Sequence, residues 1–264
     1  MATIILSEIN ASLPSVGWAP YRNNTTSSWS SIISGAGTHN GGYQGGVSFG
    51  AYGGNFTNCT STGLIWDFRD LRFVTSINSA VYSFTATGNG SFPTNRFSTD
   101  EAGGGNLVSV DENYTVPYKD ISMYNAIYRG RGTEYSTRKP FSTVPHDHDR
   151  DPYSYTLNAA GLSYLNSVHT KPNYKGLAFM GVMLNGIITA APAPTIPGSG
   201  SGTHAFFQST YNSVLTMNVT ISSAHYINIG DSWKQVAGGL INVGDEWKSL
   251  NDLDLNVGDV WKNI

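Results

Sequence analysis

Short apolar or alternating runs, separated by glycine, proline, asparagine and aspartate, recur along most of the chain. The strongest of them cover residues 63–68, 79–85, 176–184 and 213–221. This pattern is typical of strands and turns rather than of helices. Many short strands joined by turns predict an all-β protein, and we expect a jelly-roll-like β-sandwich over residues 1–222.

The run at residues 213–221 alternates most regularly, which predicts the two faces of its strand. We expect the core side to carry its apolar residues, Leu215, Met217, Val219 and Ile221. One short helix is predicted at residues 158–166, where Leu162 and Leu165 are three positions apart.

Glycine- and proline-rich stretches at residues 35–54, 100–106 and 190–203 interrupt the strand pattern and predict long loops. Long loops in a compact domain often bind a ligand or contact a neighbouring chain. A solvated connection without a further role is the alternative.

The C-terminal residues contain a repeat. The segment from Ile227 to Lys234 recurs from Ile241 to Lys248 and from Leu255 to Lys262, with a step of 14 residues each time. Each unit has an asparagine between two aliphatic residues, then Gly-Asp, then Trp-Lys after one variable residue. This order predicts a β-hairpin with a Gly-Asp turn. We therefore expect a separate region at residues 225–264 that consists of three hairpins.

The hairpin region carries a large apolar load for its length, and below about 40 residues a chain seldom forms an independent core. We predict that it is an assembly interface formed by Trp233, Trp247, Trp261, Ile227, Ile229, Ile241, Val243, Leu255 and Val257. Sister chains in a homo-oligomer, with a trimer favoured, or another protein would cover these residues. Packing on the same chain's sandwich and a row of exposed tryptophans that stacks on sugars are the alternatives.

Composition narrows the class of protein. Charged residues are only 12% of the chain, against about 25% in ordinary soluble domains. A net charge of −3 disfavours a nucleic-acid partner. The chain contains no run of about 20 apolar residues, so we expect no insertion into a membrane. The start of the chain does not resemble a signal peptide. Surfaces rich in hydroxyls and amides are common in extracellular all-β proteins and in virion parts.

Sequence signals for catalysis are weak, and we expect neither an enzyme nor a cofactor. The chain has no P-loop and no dinucleotide fingerprint. The acidic pairs at 100–101 and 111–112 leave glycoside hydrolysis open, because the spacing of its carboxylates is three-dimensional.

A weak metal candidate is the acidic turn formed by Asp147, Asp149 and Asp151, which starts like a calcium loop. Pro152 replaces the glycine that such a loop needs, and Asn158 replaces its last carboxylate ligand. A solvated turn is therefore favoured, with structural calcium as the alternative.

A basic segment with Arg138 and Lys139 at its end is the candidate ligand-binding site, in which the aromatic residues Tyr128 and Tyr135 are interleaved with the cationic residues Arg129 and Arg131. An anionic sugar or an acidic protein surface would suit them. Arginines that bond to a neighbouring sheet edge are the alternative.

Two segments resemble the DNRLRE-type, disaggregatase-related β-sandwich domain. Residues 63–71 and 77–82 are similar to its strand pair, R-G-L-I-x-F-D-x-S-x-L and I-x-S-A-x-L. Residues 155–166 are similar to its L-N-A-T-G-L-S-W-I element, and the strands at 176–178 and 214–221 follow in the family's order. The resemblance departs at Trp66-Asp67-Phe68, where the order of aromatic and aspartate differs. It implies a sandwich over residues 1–222.

The tandem Gly-Asp-x-Trp-Lys units resemble the V-G-G-x-W-K repeats that end many bacteriophage virion proteins, particularly tail and appendage proteins. This resemblance implies a structural role in the virion, after assembly in the host cytoplasm. We expect a non-enzymatic tail-fibre or appendage component that contacts host surface glycans. A capsid decoration or head-fibre protein is one alternative, and a cellular carbohydrate-binding module or adhesin is another.

Overall fold

A computed structural model describes the chain over residues 2–7, 16–18, 28–33, 47–52, 55–71, 74–87, 100–111, 121–140, 150–173, 176–193, 201–207, 209–221, 225–229, 232–236, 240–243, 246–249, 254–257 and 260–263.

Strands form most of these residues. They are β1 (Ala2–Ser7), β2 (Val16–Trp18), β3 (Val47–Tyr52), β4 (Asn55–Asp67), β5 (Val74–Thr87), β6 (Gly105–Ser109), β7 (Arg150–Thr156), β8 (Leu177–Leu184), β9 (Ser201–Phe207), β10 (Ser209–Ile221), β11 (His225–Ile229), β12 (Ser232–Val236), β13 (Leu240–Val243), β14 (Glu246–Ser249), β15 (Asp254–Val257) and β16 (Val260–Asn263). The helices are short: α1 (Trp29–Ile33), α2 (Asp100–Gly103), α3 (Ile121–Gly130), α4 (Ala159–Asn166), α5 (Asn185–Ile188) and a 3-10 turn at Val168–Thr170. The predicted all-β class is confirmed.

Two antiparallel sheets form the body of the protein. The first sheet has the strand order β1-β10-β5-β7, and the second has the order β6-β8-β4-β3-β9, with β2 paired to β4. From β4 to β8, consecutive strands alternate between the two sheets. This alternation is the mark of a jelly-roll-like sandwich, and the predicted architecture is confirmed.

Aromatic side chains fill the space between the sheets. The ring of Trp66 in the second sheet meets the ring of Tyr82 in the first sheet edge-on, with centroids 5.5 Å apart. Tyr155 and Tyr153 in β7 are the register partners of Tyr82 and Phe84 in β5, so these four side chains share one face. They form a continuous buried cluster, in which the centroids of Phe84 and Tyr153 are 5.3 Å apart.

The inward face of β10 follows the predicted alternation through most of its length. Leu215, Met217 and Val219 are fully buried, as predicted. The prediction for Ile221 was wrong, because 42% of this residue is exposed. Its pairing with β5 shifts register between Thr220 and Ile221, and such an irregularity turns the following side chain away from the core.

The second sheet is covered on both faces, which explains why β8 has a continuous apolar run rather than an alternating one. Residues Ala178 to Leu184 are all buried. Helix α3 packs so closely on β8 that a Cβ atom at Gly181 would lie 2.4 Å from Cγ2 of Ile127. The sheet therefore accepts a glycine where the helix crosses it.

The predicted helix at 158–166 is confirmed as α4. Asn158 precedes it as the N-cap, and its side-chain oxygen accepts a hydrogen bond from the backbone N–H of Gly161 at 3.0 Å. Helix α3 was not predicted, although Tyr124 and Ile127 are buried at helical spacing. The buried residues of this helix span only about one turn, which is too short for a helical period to be recognised in the sequence.

The predicted loop at 100–106 was wrong, because these residues form α2 and the start of β6. Gly104 lies against another backbone segment, and a Cβ atom there would be 1.7 Å from the carbonyl oxygen of Lys139. The glycine therefore permits a close approach rather than a flexible loop. Parts of the other two predicted loops are also strand, since 35–54 contains β3 and 190–203 contains the start of β9.

The segment at residues 133–139 runs along the edge of β6. Single bridges join Lys139 to Gly105 and Glu134 to Val108, and a third joins Ser136 to Leu157, which follows β7. The buried side chain of Asn106 accepts a hydrogen bond from the Ser136 hydroxyl and donates one to the Ser136 carbonyl at 3.1 Å. This segment covers the edge of β6 and ties the second sheet to the first.

Candidate functional site

The three C-terminal units form three separate antiparallel strand pairs: β11 with β12, β13 with β14, and β15 with β16. Their registers are equivalent, because Asn228 is opposite Trp233, Asn242 is opposite Trp247, and Asn256 is opposite Trp261. In each unit two residues, Gly-Asp in the sequence, separate the paired strands and lie outside the described part. The hairpin pairing predicted from the repeat is confirmed.

The same registers divide each hairpin into two faces, because directly opposite residues share a face of the pleat. Asparagine and tryptophan share one face. The aliphatic residue before each asparagine shares the other face with the lysine, in the pairs Ile227–Lys234, Ile241–Lys248 and Leu255–Lys262. The predicted interface residues therefore take two kinds of register position: the tryptophans lie opposite asparagine, and Ile227, Ile241 and Leu255 lie opposite lysine.

A two-stranded hairpin by itself is only marginally stable in water. Since each of the three units pairs only two strands, each depends on some further contact to hold its shape. The repetition of one register in all three units means that a partner surface would meet the same arrangement three times.

The predicted ligand site at the end of α3 is partly assembled. The guanidinium carbon of Arg131 lies 3.6 Å from the ring centroid of Tyr128, and its Nη1 donates a hydrogen bond to the Tyr128 carbonyl oxygen at 2.7 Å. Arg129 forms an ion pair with Asp111 at the end of β6. Both arginines thus have contacts within the chain. The pair of Arg129 with Asp111 joins α3 to the end of β6, whereas Arg131 bonds back to Tyr128 in α3 itself.

Tyr135 does not join that surface. It is buried, and its ring stacks on the ring of Tyr164 with centroids 5.0 Å apart. Burial raises the pKa of its hydroxyl above the usual value. Of the four predicted residues, Tyr128, Arg129 and Arg131 lie together, whereas Tyr135 is part of the core.

The acidic turn lies mostly beyond the described residues. Asp147 and Asp149 are outside them, and Asp151 belongs to β7, where it is the register partner of Ala86. Within the described ranges, no group of three or more histidine, cysteine, aspartate or glutamate side chains is arranged to hold a metal ion.

Cys59 is buried beside Tyr124. Burial raises the pKa of its thiol to about 12. At neutral pH this cysteine is therefore a protonated core residue rather than a nucleophile.

A shallow groove crosses the outer face of the first sheet. It has a volume of about 330 Å³ and is lined by Ser83, Phe84, Thr85, Pro152, Tyr153, Ser154 and Asn212. Ser83 is opposite Ser154, and Thr85 is opposite Pro152. Asn212 has a φ of +52° at the point where β10 carries an extra residue relative to β5, and this bulge shapes one end of the groove.

The outer face of the first sheet is polar, and three of the four strands in this sheet are neutral. Strands β1, β5 and β10 contain no charged residue. A row of side-chain hydrogen bonds crosses them: Thr3 donates to Asn218 at 3.0 Å, and Asn218 donates to Ser79 at 3.0 Å. Such a surface offers hydroxyl and amide groups without the field of a charge.

The groove was not predicted. Its residues come from three strands that are far apart in the chain, and most of them are ordinary polar residues or proline. The low content of charged residues was the available signal, but it does not locate a site.

In the described part of the chain, the helices are too short and too polar to cross a bilayer. The sequence matches no protein-family model, and a comparison with curated proteins gives no match either. The two resemblances stated from sequence motifs stay predictions.

Proposed function

We propose that this chain is a non-enzymatic structural protein of a bacteriophage virion, a tail-fibre or appendage component that assembles through its C-terminal hairpins. The observation that carries the proposal is the common register of the three units, with an asparagine opposite a tryptophan in each. Three copies of one surface, each too small to be stable alone, suit an element that is completed by other chains.

A comparison of two triple variants tests the assembly role in the full-length chain. In the first variant, Trp233, Trp247 and Trp261 are changed to serine, and in the matched control Lys234, Lys248 and Lys262 are changed to serine. Each tryptophan and the lysine after it belong to opposite faces of one hairpin. Light scattering should give a threefold lower mass for the tryptophan variant and an unchanged mass for the lysine variant. An unchanged mass for both would contradict assembly through the indole face.

Particle location is a separate question with its own experiment. Particles released from cells that produce this chain are purified on a density gradient, and the chain is quantified by mass spectrometry. We expect it in the particle fraction at several copies per particle. A chain that stays entirely in the soluble fraction would contradict the virion role and would favour a cellular carbohydrate-binding module or adhesin.

The groove supports a second role, contact with a neutral glycan. Its lining is uncharged, and sugar hydroxyls pair well with serine, threonine and asparagine side chains. A substitution of Ser154 by tryptophan would fill the groove, whereas Thr156, on the same strand and face, offers a matched control outside it.

Glycan-array binding of the two variants distinguishes the sites. We expect Ser154→Trp to reduce binding of neutral oligosaccharides at least tenfold and Thr156→Trp to leave it unchanged. If the bound glycans are anionic and Arg131→Gln abolishes binding instead, the end of α3 is the glycan site and the groove is not.

A further inference from the structure

The free edge of β1 points to a contact between two copies of the chain. In the first sheet β1 is the terminal strand, with β10 on one side and, among the described residues, no strand on the other. An exposed strand edge presents unpaired N–H and C=O groups that can pair with another strand. This contact is independent of the hairpins and of the proposed virion role.

Two other edges of the sandwich, those of β6 and β7, are protected, and the contrast with them is informative. The edge of β6 is covered by residues 133–139. Strand β7, at the opposite edge of the first sheet, carries Pro152 and the charged residues Arg150 and Asp151. Proline and charge are common means by which proteins block edge-to-edge pairing. Strand β1, with the sequence Ala-Thr-Ile-Ile-Leu-Ser, has neither.

Strand β1 also carries an exposed apolar residue at the centre of a polar face. Ile5 is 63% exposed, and its neighbours on that face are Thr3 and Ser7. Ala2, Ile4 and Leu6 lie on the other face and pack against the core. The strand is therefore nearly symmetrical about Ile5 in polarity, in size and in the absence of charge.

We propose that β1 pairs antiparallel with β1 of a second copy about a two-fold axis at Ile5. This register places Ile5 opposite Ile5, Thr3 opposite Ser7, and Ile4 opposite Leu6 of the other copy. The pairing buries the two exposed isoleucines against each other, and it gives the N–H and C=O groups on the free edge of β1 their hydrogen-bond partners. It also extends both faces of the sheet across the two-fold axis. A second copy fits better than a different partner because the strand is complementary to itself and offers no charge to select another chain.

Disulfide formation by single cysteine variants of the full-length chain tests this contact. Directly opposite residues of antiparallel strands have Cα atoms about 4.5–5.5 Å apart, which is within the range of a disulfide. Cys59 is fully buried and has a raised pKa, so the native chain should form no disulfide-linked dimer. Under mild oxidation, Ile5→Cys should give a covalent dimer on a non-reducing gel, and the matched control Ile221→Cys, on exposed Ile221 of the same sheet, should not.

Disulfide formation also tests the proposed register of β1 and whether this contact is independent of the hairpins. A mixture of Thr3→Cys and Ser7→Cys chains should cross-link, whereas Thr3→Cys alone should not. The Ile5→Cys dimer should also form when Trp233, Trp247 and Trp261 are serine, which separates this contact from the hairpin assembly.

The mass in solution gives a second readout. Ile5→Lys should halve the mass measured by light scattering, and Ile221→Lys should leave it unchanged. Equal cross-linking by Ile5→Cys and Ile221→Cys would overturn the proposal and would indicate that β1 is free or meets a different protein. Cross-linking at Ile5 without cross-linking between Thr3→Cys and Ser7→Cys would overturn the antiparallel register.

Discussion

The hydroxyl of Tyr164 in α4 accepts a hydrogen bond from the backbone N–H of Phe179 in β8, and the two atoms lie 2.6 Å apart. Pairing of β6 with β8 ends at Met180. Tyr164 provides the acceptor for the N–H of Phe179, the neighbouring residue of β8 that lies beyond this pairing. Both groups are buried. The contact therefore ties α4 to the second sheet at the point where the pairing of β8 with β6 stops.

Replacement of Tyr164 by phenylalanine should lower the free energy of unfolding by about 1–3 kcal/mol. The substitution keeps the ring but leaves the Phe179 N–H buried without its acceptor. Urea denaturation measures the change. Ser163→Ala, at an exposed position of the same helix, should stay within about 0.5 kcal/mol of the native chain, and an equal loss in both variants would contradict the role of this hydrogen bond.

Replacement of Gly104 by alanine should destabilise the fold by about 3 kcal/mol. The new Cβ would lie 1.7 Å from the Lys139 carbonyl oxygen, so two backbone segments have to separate. Gly132→Ala is the matched control, because a Cβ at Gly132 meets nothing within 4 Å. Thermal unfolding of both variants tests this, and a Gly104→Ala chain as stable as the control would show that the two segments separate at no cost.

Stability should fall as the pH rises above about 8.5, the usual pKa of an unfolded thiol. The pKa of Cys59 is about 12 in the folded chain. Between these two values the unfolded chain has lost a proton that the folded chain keeps, so each pH unit costs about 1.4 kcal/mol. Burial also raises the pKa of Tyr124 and Tyr155, which makes the decline steeper above about pH 10.

Urea denaturation from pH 7 to pH 10.5 measures this decline. The Cys59→Ala chain should show a shallower slope between pH 9 and pH 10, because it lacks the thiol that the unfolded chain ionises. The same slope in both chains would assign the alkaline sensitivity to other groups.

Asn158 holds the start of α4 in two ways, and two substitutions separate them. Its oxygen caps the Gly161 N–H, and its Nδ2 donates to the Glu134 carbonyl oxygen at 2.9 Å. Asn158→Ala should lower the free energy of unfolding by about 1–2 kcal/mol, because the helix loses its cap and the hydrogen bond to Glu134. Asn158→Ser retains a cap and should recover about half of the loss in urea denaturation. No recovery would mean that the bond to Glu134 carries the whole effect.

Local patterns of the sequence predicted the elements that depend on near neighbours. Alternation over residues 213–221 identified the buried face of β10, because successive side chains of a strand point to opposite sides. Leu162 and Leu165 indicated α4, because residues three positions apart lie on one face of a helix. The 14-residue repeat predicted the hairpins, since strand, turn and returning strand all lie within one unit.

Tertiary structure decided the features that join distant segments. The exposure of Ile221 depends on its register with β5, the closeness of Gly104 to Lys139 depends on how residues 133–139 cover β6, and the groove needs three strands side by side. The free edge of β1 likewise follows from the order of strands in the first sheet. The sequence by itself thus determined the type of β10, α4 and the hairpins and most of the inward face of β10, because these are set by residues a few positions apart. Edges, grooves and close backbone contacts were left to the fold, because sheet order brings together residues whose spacing in the chain carries no periodic signal.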